Sequence, residues 1–282
     1  MNDMDLDELI RQYNPRAAVP DHEVWKAHWA LDSERVRASL TGRMRLPYGD
    51  TPGQCMDVFP AAAPNAPVQV FVHGGFWRFL DSFDHTLVVP MFNSAGAATV
   101  LLNYDLCPTV PLSEVVIQIR RGLAAVWKHA DEFGYDREKM FISGHSAGGH
   151  LCAMLAATDC VALGLPNDAI KGAAMVSGLY DLTPMLRVPG GEELLMTPET
   201  VRELSPMWAL PPARIPLIAA VGGQETREWI RQTDDFVIKC RDNGSEVLSI
   251  QPDYDHHYSI LYSFSNPVTE LGNAVLRQMG LA

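Results

Sequence analysis

The sequence is short of positive charge, with 22 lysines and arginines against 34 aspartates and glutamates and a formal net charge of −12. A balance of that sign favours solubility and works against nucleic acid or an anionic membrane surface as a partner. Long apolar runs are also missing. No stretch is extended enough to span a bilayer, and the opening MNDMDLDELI has neither the basic n-region nor the apolar h-region of a secretory signal. Cysteine is sparse: Cys55, Cys107, Cys152, Cys160 and Cys240 are odd in number and form no CxxC. That spacing argues against a disulfide framework or a zinc cluster and for a reducing compartment, the cytoplasm. No internal repeat or low-complexity segment interrupts the chain.

The remaining composition is that of a globular protein, with 282 residues, 47% of them hydrophobic and 20% charged. This suffices for one substantial core and predicts a single domain over residues 1–282. A polar N-terminal arm occupies residues 1–52, and after it short apolar runs alternate with helical patterns. The stretches 68–74, 97–104, 139–144, 171–178, 215–223 and 246–251 read as strands, nearly continuous in apolar character as strands buried on both faces should be. Between them lie helical spacings. Val116, Ile119, Leu123, Val126, Trp127 and Ala130 share a face, with Ser113 as the expected N-cap and Gly134 as the stop. A second helix aligns Trp229, Thr233, Phe236, Val237 and Cys240, and a last one is expected to start at Asn266 and Pro267. Repeated βα units imply a mostly parallel sheet with helices on both faces. Residues 179–212, rich in proline, read as a lid-like insertion over the sheet's C-terminal edge.

The chemistry is most legible at ISGHSAGGH, where Gly144-His145-Ser146-Ala147-Gly148 fits the G-x-S-x-G nucleophile elbow between a strand and a helix. A serine hydroxyl needs a base to take its proton and an acid to orient that base. In this architecture the chain order is serine, acid, histidine. Glu225, at the exit of IPLIAAVGG, is the first choice of acid, ahead of Asp181, one βα unit earlier, and Glu228, a turn into the helix. The histidine then falls in DYDHHYSIL after the last strand, where His256 and His257 are both candidates. Upstream, VFVHGGFW ends a strand in the manner of an oxyanion loop, so the amides of Gly75, Phe76 and Ala147 are the expected donors to a developing oxyanion. His73 precedes the serine and is expected to be structural. His145 and His150 fit no usual zinc spacing and are assigned to packing or supporting hydrogen bonds. Trp77, Phe76 and Phe79 are candidates for an aromatic pocket wall, and Tyr180, Met185, Leu186 and Met196 for its roof. No cofactor or metal is expected; the partner is a small-molecule substrate, and a homodimer is compatible with the sequence.

These residues resemble the α/β-hydrolases of the kynurenine formamidase (arylformamidase) type. The likeness rests on HGGFW (73–77), YNPR (13–16), NYDLCP (103–108), GHSAGGHL (144–151), SGLYDL (177–182), ETREWIRQ (225–232) and HHYSIL (256–261), and so covers most of the chain. It implies an α/β-hydrolase fold with Ser146 as nucleophile, Glu225 as acid and His257 rather than His256 as base, His256 being a solvated neighbour. It departs from the family where Glu225 replaces the commoner Asp and Phe76 a frequent Tyr. The implied reaction is hydrolysis of an aryl formamide such as N-formylkynurenine through an acyl-enzyme. A carboxylesterase for small acyl or aryl esters is the alternative, and a non-catalytic binding protein on the same scaffold a more distant one.

Overall fold

Eight strands run through the computed structural model, which describes residues 4–282. They are β1 (Arg43–Pro47), β2 (Cys55–Phe59), β3 (Ala66–Val72), β4 (Ala98–Leu102), β5 (Tyr135–His145), β6 (Ile170–Val176), β7 (Leu217–Ala220) and β8 (Val247–Ile250). One sheet takes them in the order β1-β2-β4-β3-β5-β6-β7-β8. β1 and β2, and β2 and β4, pair antiparallel, and every other neighbouring pair is parallel. The helices are α1 (Leu6–Tyr13), α2 (Pro15–Ala18), α3 (His22–Ser39), α4 (Val89–Ser94), α5 (Leu112–Lys128), α6 (Ala130–Phe133), α7 (Ala147–Ala156), α8 (Thr200–Glu203), α9 (Arg227–Asp242), α10 (Ile260–Phe264) and α11 (Glu270–Gln278).

The nearly continuous apolar strands are buried on both faces. Along β3, Val68, Val70 and Val72 enter a core with residues of α5, α7 and α9 such as Leu123, Leu151 and Val237. Phe71 points the other way, into a second core with Trp29 of α3, Phe92 of α4, Phe264 of α10 and Leu276 of α11. At roughly 25 cal/mol per Å² of apolar surface removed from water, these two layers supply the main driving force for the fold.

Four expectations need correction. The arm is not merely polar: it holds three helices and β1, and β2 follows it as a further strand. β1 and β2 escaped the apolar pattern because RMRLP carries two arginines and CMDVF carries a fully buried carboxylate. Asp57 is satisfied there by the Arg45 amide at 2.8 Å and the Ser82 hydroxyl at 2.6 Å. Ser113 does not cap α5, which begins at Leu112 after Pro111, although Gly134 does end the region, at φ 74° behind α6. Asn266 does not start the last helix either. Its side chain accepts from the Val268 amide, and Thr269 caps α11 by accepting from the Gly272 amide at 3.1 Å. Finally, residues 179–212 are a run of short helical turns whose Leu182, Met185, Leu194, Val201 and Leu204 sink into the core.

Candidate active site

Ser146 occupies the turn between β5 and α7 at φ 57° and ψ −120°, a conformation that non-glycine residues adopt only under tertiary constraint. The turn is tight because neighbouring backbones touch. A Cβ at Gly148 would lie 2.0 Å from the Val72 carbonyl oxygen, so only glycine lets α7 start there.

From this turn the Ser146 hydroxyl donates to His257 Nε2 at 2.9 Å, and His257 Nδ1 meets Glu225 Oε2 at 2.6 Å. A carboxylate only accepts, so the Nδ1 position carries the proton and Nε2 presents its lone pair to the serine. The rest of Glu225 is held in place. Its Oε1 accepts from the Ser177 hydroxyl at 2.5 Å and from the Gly222 amide at 2.8 Å. Trp229 presses edge-on against the His257 ring with centroids 5.0 Å apart, and its indole N–H donates to the Ser177 carbonyl at 2.7 Å. No motif marks Ser177 or Trp229 for this bracing, although both lie in stretches that carry the family resemblance, SGLYDL and ETREWIRQ.

The other acids are elsewhere. Asp181 accepts from the Thr183 amide, and Glu228 binds the Tyr13 hydroxyl and pairs with Arg231. His256 is not simply solvated: half-buried, it stacks edge-on to Trp25 at 4.8 Å and accepts the Tyr258 and Ser259 amides at Nδ1. His145 donates from Nε2 to the carbonyl of His257 itself at 2.8 Å, and its ring lies 5.0 Å from that of His257. His73 stacks on Tyr104 at 4.2 Å, while His150 accepts from Trp77 Nε1 and donates to the Leu204 carbonyl. Burial pushes His73, His85 and His145 below the usual imidazole range and His150 down to about 4, so all four stay neutral.

The loop after β3 passes directly over the serine. A Cβ at Gly74 would come within 3.2 Å of Ser146 Cβ, and Gly75 takes φ 117°, where a side chain would strike the Phe79 carbonyl. The amides of Gly75, Phe76 and Ala147 donate to no backbone or side-chain acceptor among the described residues, which leaves them available to a ligand oxygen.

A cleft of about 570 Å³ opens beside Ser146 and His257. Phe76 and Phe79 line it, whereas Trp77, Tyr180 and Met185 do not. Trp77 turns inward to His150, Tyr180 stacks on Phe236 at 4.1 Å, and Met185 is fully buried in the core. Leu186 and Met196 are likewise absent from its lining, and from residues 179–212 only Val188 and Pro189 reach it. The roof comes instead from the arm: Ile10, Tyr13, Asn14, Pro15 and Arg16, with Lys26 and Trp29 of α3. No helix among the described residues is long and apolar enough to cross a membrane.

Known proteins similar to this chain include hydrolases, and solved structures share its fold. Residues 56–175 match the BD-FAE family model. The kynurenine formamidase of Salmo salar is 28% identical over 99% of this chain and 98% of its own. That of Danio rerio is 29% identical over 98% and 97%. A crystal structure from Silicibacter sp. superposes with a TM-score of 0.82 at 28% identity, covering 94% of this chain and 97% of that one. Esterase B from Lactobacillus rhamnosis, at a TM-score of 0.71 and 17% identity over 94% and 96%, shares the fold.

Proposed function

We propose that this chain, an α/β-hydrolase with kynurenine formamidases among its relatives, is a serine hydrolase cleaving an aryl formamide such as N-formylkynurenine. The observation that carries the reading is the unbroken line of hydrogen bonds from Ser146 through His257 to Glu225. Ser146 Oγ attacks the formyl carbon while its proton passes to His257 Nε2, and Glu225 stabilises the imidazolium that results. The oxyanion is received by the amides of Gly75, Phe76 and Ala147. His257 then returns the proton to the departing arylamine nitrogen, leaving a formyl ester on Ser146. Water, deprotonated by the same histidine, attacks that ester and releases formate and the free serine. An aryl formamide suits an ordinary serine triad, because its formyl carbon is unhindered and an arylamine leaves more readily than an alkylamine. Phe76, itself part of the oxyanion loop, lines the cleft beside Ser146 and is the residue on which a narrow acyl side would depend.

Steady-state rates on an aryl formamide, the matching acetamide and a p-nitrophenyl ester test the assignment. kcat/KM is expected to fall at least about tenfold from formamide to acetamide, the order of discrimination that one methyl gives in a tight pocket. Ser146→Ala is expected to remove on the order of a million-fold of kcat in a protein that still folds. Equal rates on the two amides, or turnover confined to esters, would assign a carboxylesterase with the same machinery.

A further inference from the structure

The YNPR stretch is unused by the chemistry above, yet it is the segment that closes the cleft. Tyr13 ties it down: its hydroxyl donates to Glu228 Oε2 at 3.0 Å and accepts from Gln232 Nε2 at 2.9 Å, both on α9. Asn14 caps the one-turn helix α2 by accepting from the Arg16 amide at 3.2 Å, and Pro15 occupies its first position. Each of the first three residues thus restrains the backbone that presents the fourth. Arg16 projects over the Phe79 ring, its guanidinium carbon 5.0 Å from the ring centre, and lines the cleft mouth together with Tyr258.

The charge found there runs against the whole chain. In a protein of net charge −12, the fixed charges lining this cleft are Arg16, Lys26 and Arg78, with no aspartate or glutamate among them. Two of the three are already neutralised, Lys26 by Glu23 and Arg78 by Glu193. Arg16 alone has no carboxylate within ion-pairing distance among the described residues. Deeper in the cleft the polar groups are of another kind. Trp29 Nε1, His85 Nε2 and His145 Nδ1 are buried without partners; against one indole N–H donor stand two neutral imidazoles whose lone pairs would repel an anion, and none of the three carries a positive charge to hold one. An anionic group therefore fits the mouth and not the inner end.

We propose that Arg16 is a specificity residue that binds a carboxylate carried on the leaving-group half of the substrate. The proposal rests on the formamidase reading only for the bond that is cleaved. A planar guanidinium held by an aromatic face and a braced backbone can take a carboxylate through two parallel N–H donors. Binding remote from the reacting carbon of this kind sets where the carbonyl sits relative to Ser146.

The test compares two formanilides that differ only in an ortho side chain ending in a carboxylate or in a primary amide. Wild-type protein is expected to favour the carboxylate about tenfold or more in kcat/KM, with the preference shrinking as salt is raised. Arg16→Gln should abolish that preference through KM while leaving the amide-bearing substrate within about twofold, which also reports that the exposed substitution has not disturbed folding. Lys26→Gln should do much less, since Glu23 already holds that ammonium. No preference in the wild type, or equal losses on both substrates in Arg16→Gln, would overturn the assignment. If neither formanilide is cleaved, the formamidase reading fails, and the same carboxylate and amide pair built as aryl formate esters still decides the role of Arg16.

Discussion

At the scale of single residues, the division of labour between adjacent histidines is a matter of which nitrogen is already engaged. His256 commits Nδ1 to two backbone amides and its ring to Trp25, so no lone pair of that nitrogen is left for Ser146. His257 has one nitrogen on Glu225 and the other on the serine. We expect His257→Ala to lower kcat by several orders of magnitude and His256→Ala by about tenfold or less, the latter through a loosened loop. Glu225→Gln should fall between them, because the serine and the oxyanion donors survive the loss of the orienting charge. Reversed losses for the two histidines would shift the base by one position. None of this was visible in DYDHHYSIL itself: the residues presented a loop with two imidazoles, and the family likeness alone favoured the second.

At the scale of elements, the unexpected one is the arm. Its longest helix, α3, carries too little apolar periodicity to announce itself, α1 is amphipathic but only eight residues long, and beside the Tyr13–Trp229 contact the arm is tied to α9 by polar pairs more than 200 positions apart in sequence. Polar pairs of that separation leave no periodic trace. Their strength is measurable through Tyr13→Phe, which leaves one N–H of the buried Gln232 amide unpaired while its other stays on the Asp181 carbonyl, and leaves Glu228 Oε2 to Arg231 alone. A net loss of about 1–2 kcal/mol in urea unfolding is expected, the range for a hydrogen bond removed from one side. Since Tyr13 braces the roof and touches none of the reacting atoms, KM should rise more than kcat falls. A variant with wild-type stability and KM would show that α1 and α2 are held by other contacts. Residues 179–212 teach the converse. Proline breaks made them look like a lid, but their leucines and Met185 supply core volume, so the segment packs where a lid would move.

At the scale of the whole molecule, four buried neutral histidines give stability a pH dependence whose sign is fixed. His73, His85, His145 and His150 bind protons less readily folded than unfolded, so between the ordinary imidazole range and their lowered values the unfolded chain holds more protons. Stability is therefore complete above about pH 6.5 and falls on acidification, by up to about 1.4 kcal/mol per pH unit for each proton taken up. For His150 the loss extends down to its value of about 4. Denaturant midpoints measured from pH 7 to pH 5 should drop steadily, and a flat profile would mean that these rings are not desolvated as described. The sequence by itself determined the alternation that builds a parallel sheet, the strand-turn-helix around Ser146, the glycine loop opposite it and the loop that carries His256 and His257. Each of these is a local pattern, set by periodicity, glycine placement or chain order. Only the tertiary structure decided what surrounds them: that Ser177 and Trp229 brace Glu225 and His257, that Trp77 and Tyr180 are core, and that Arg16 roofs the cleft. Those outcomes depend on which distant segments meet, and a polar contact across the fold has no period along the chain from which to read it.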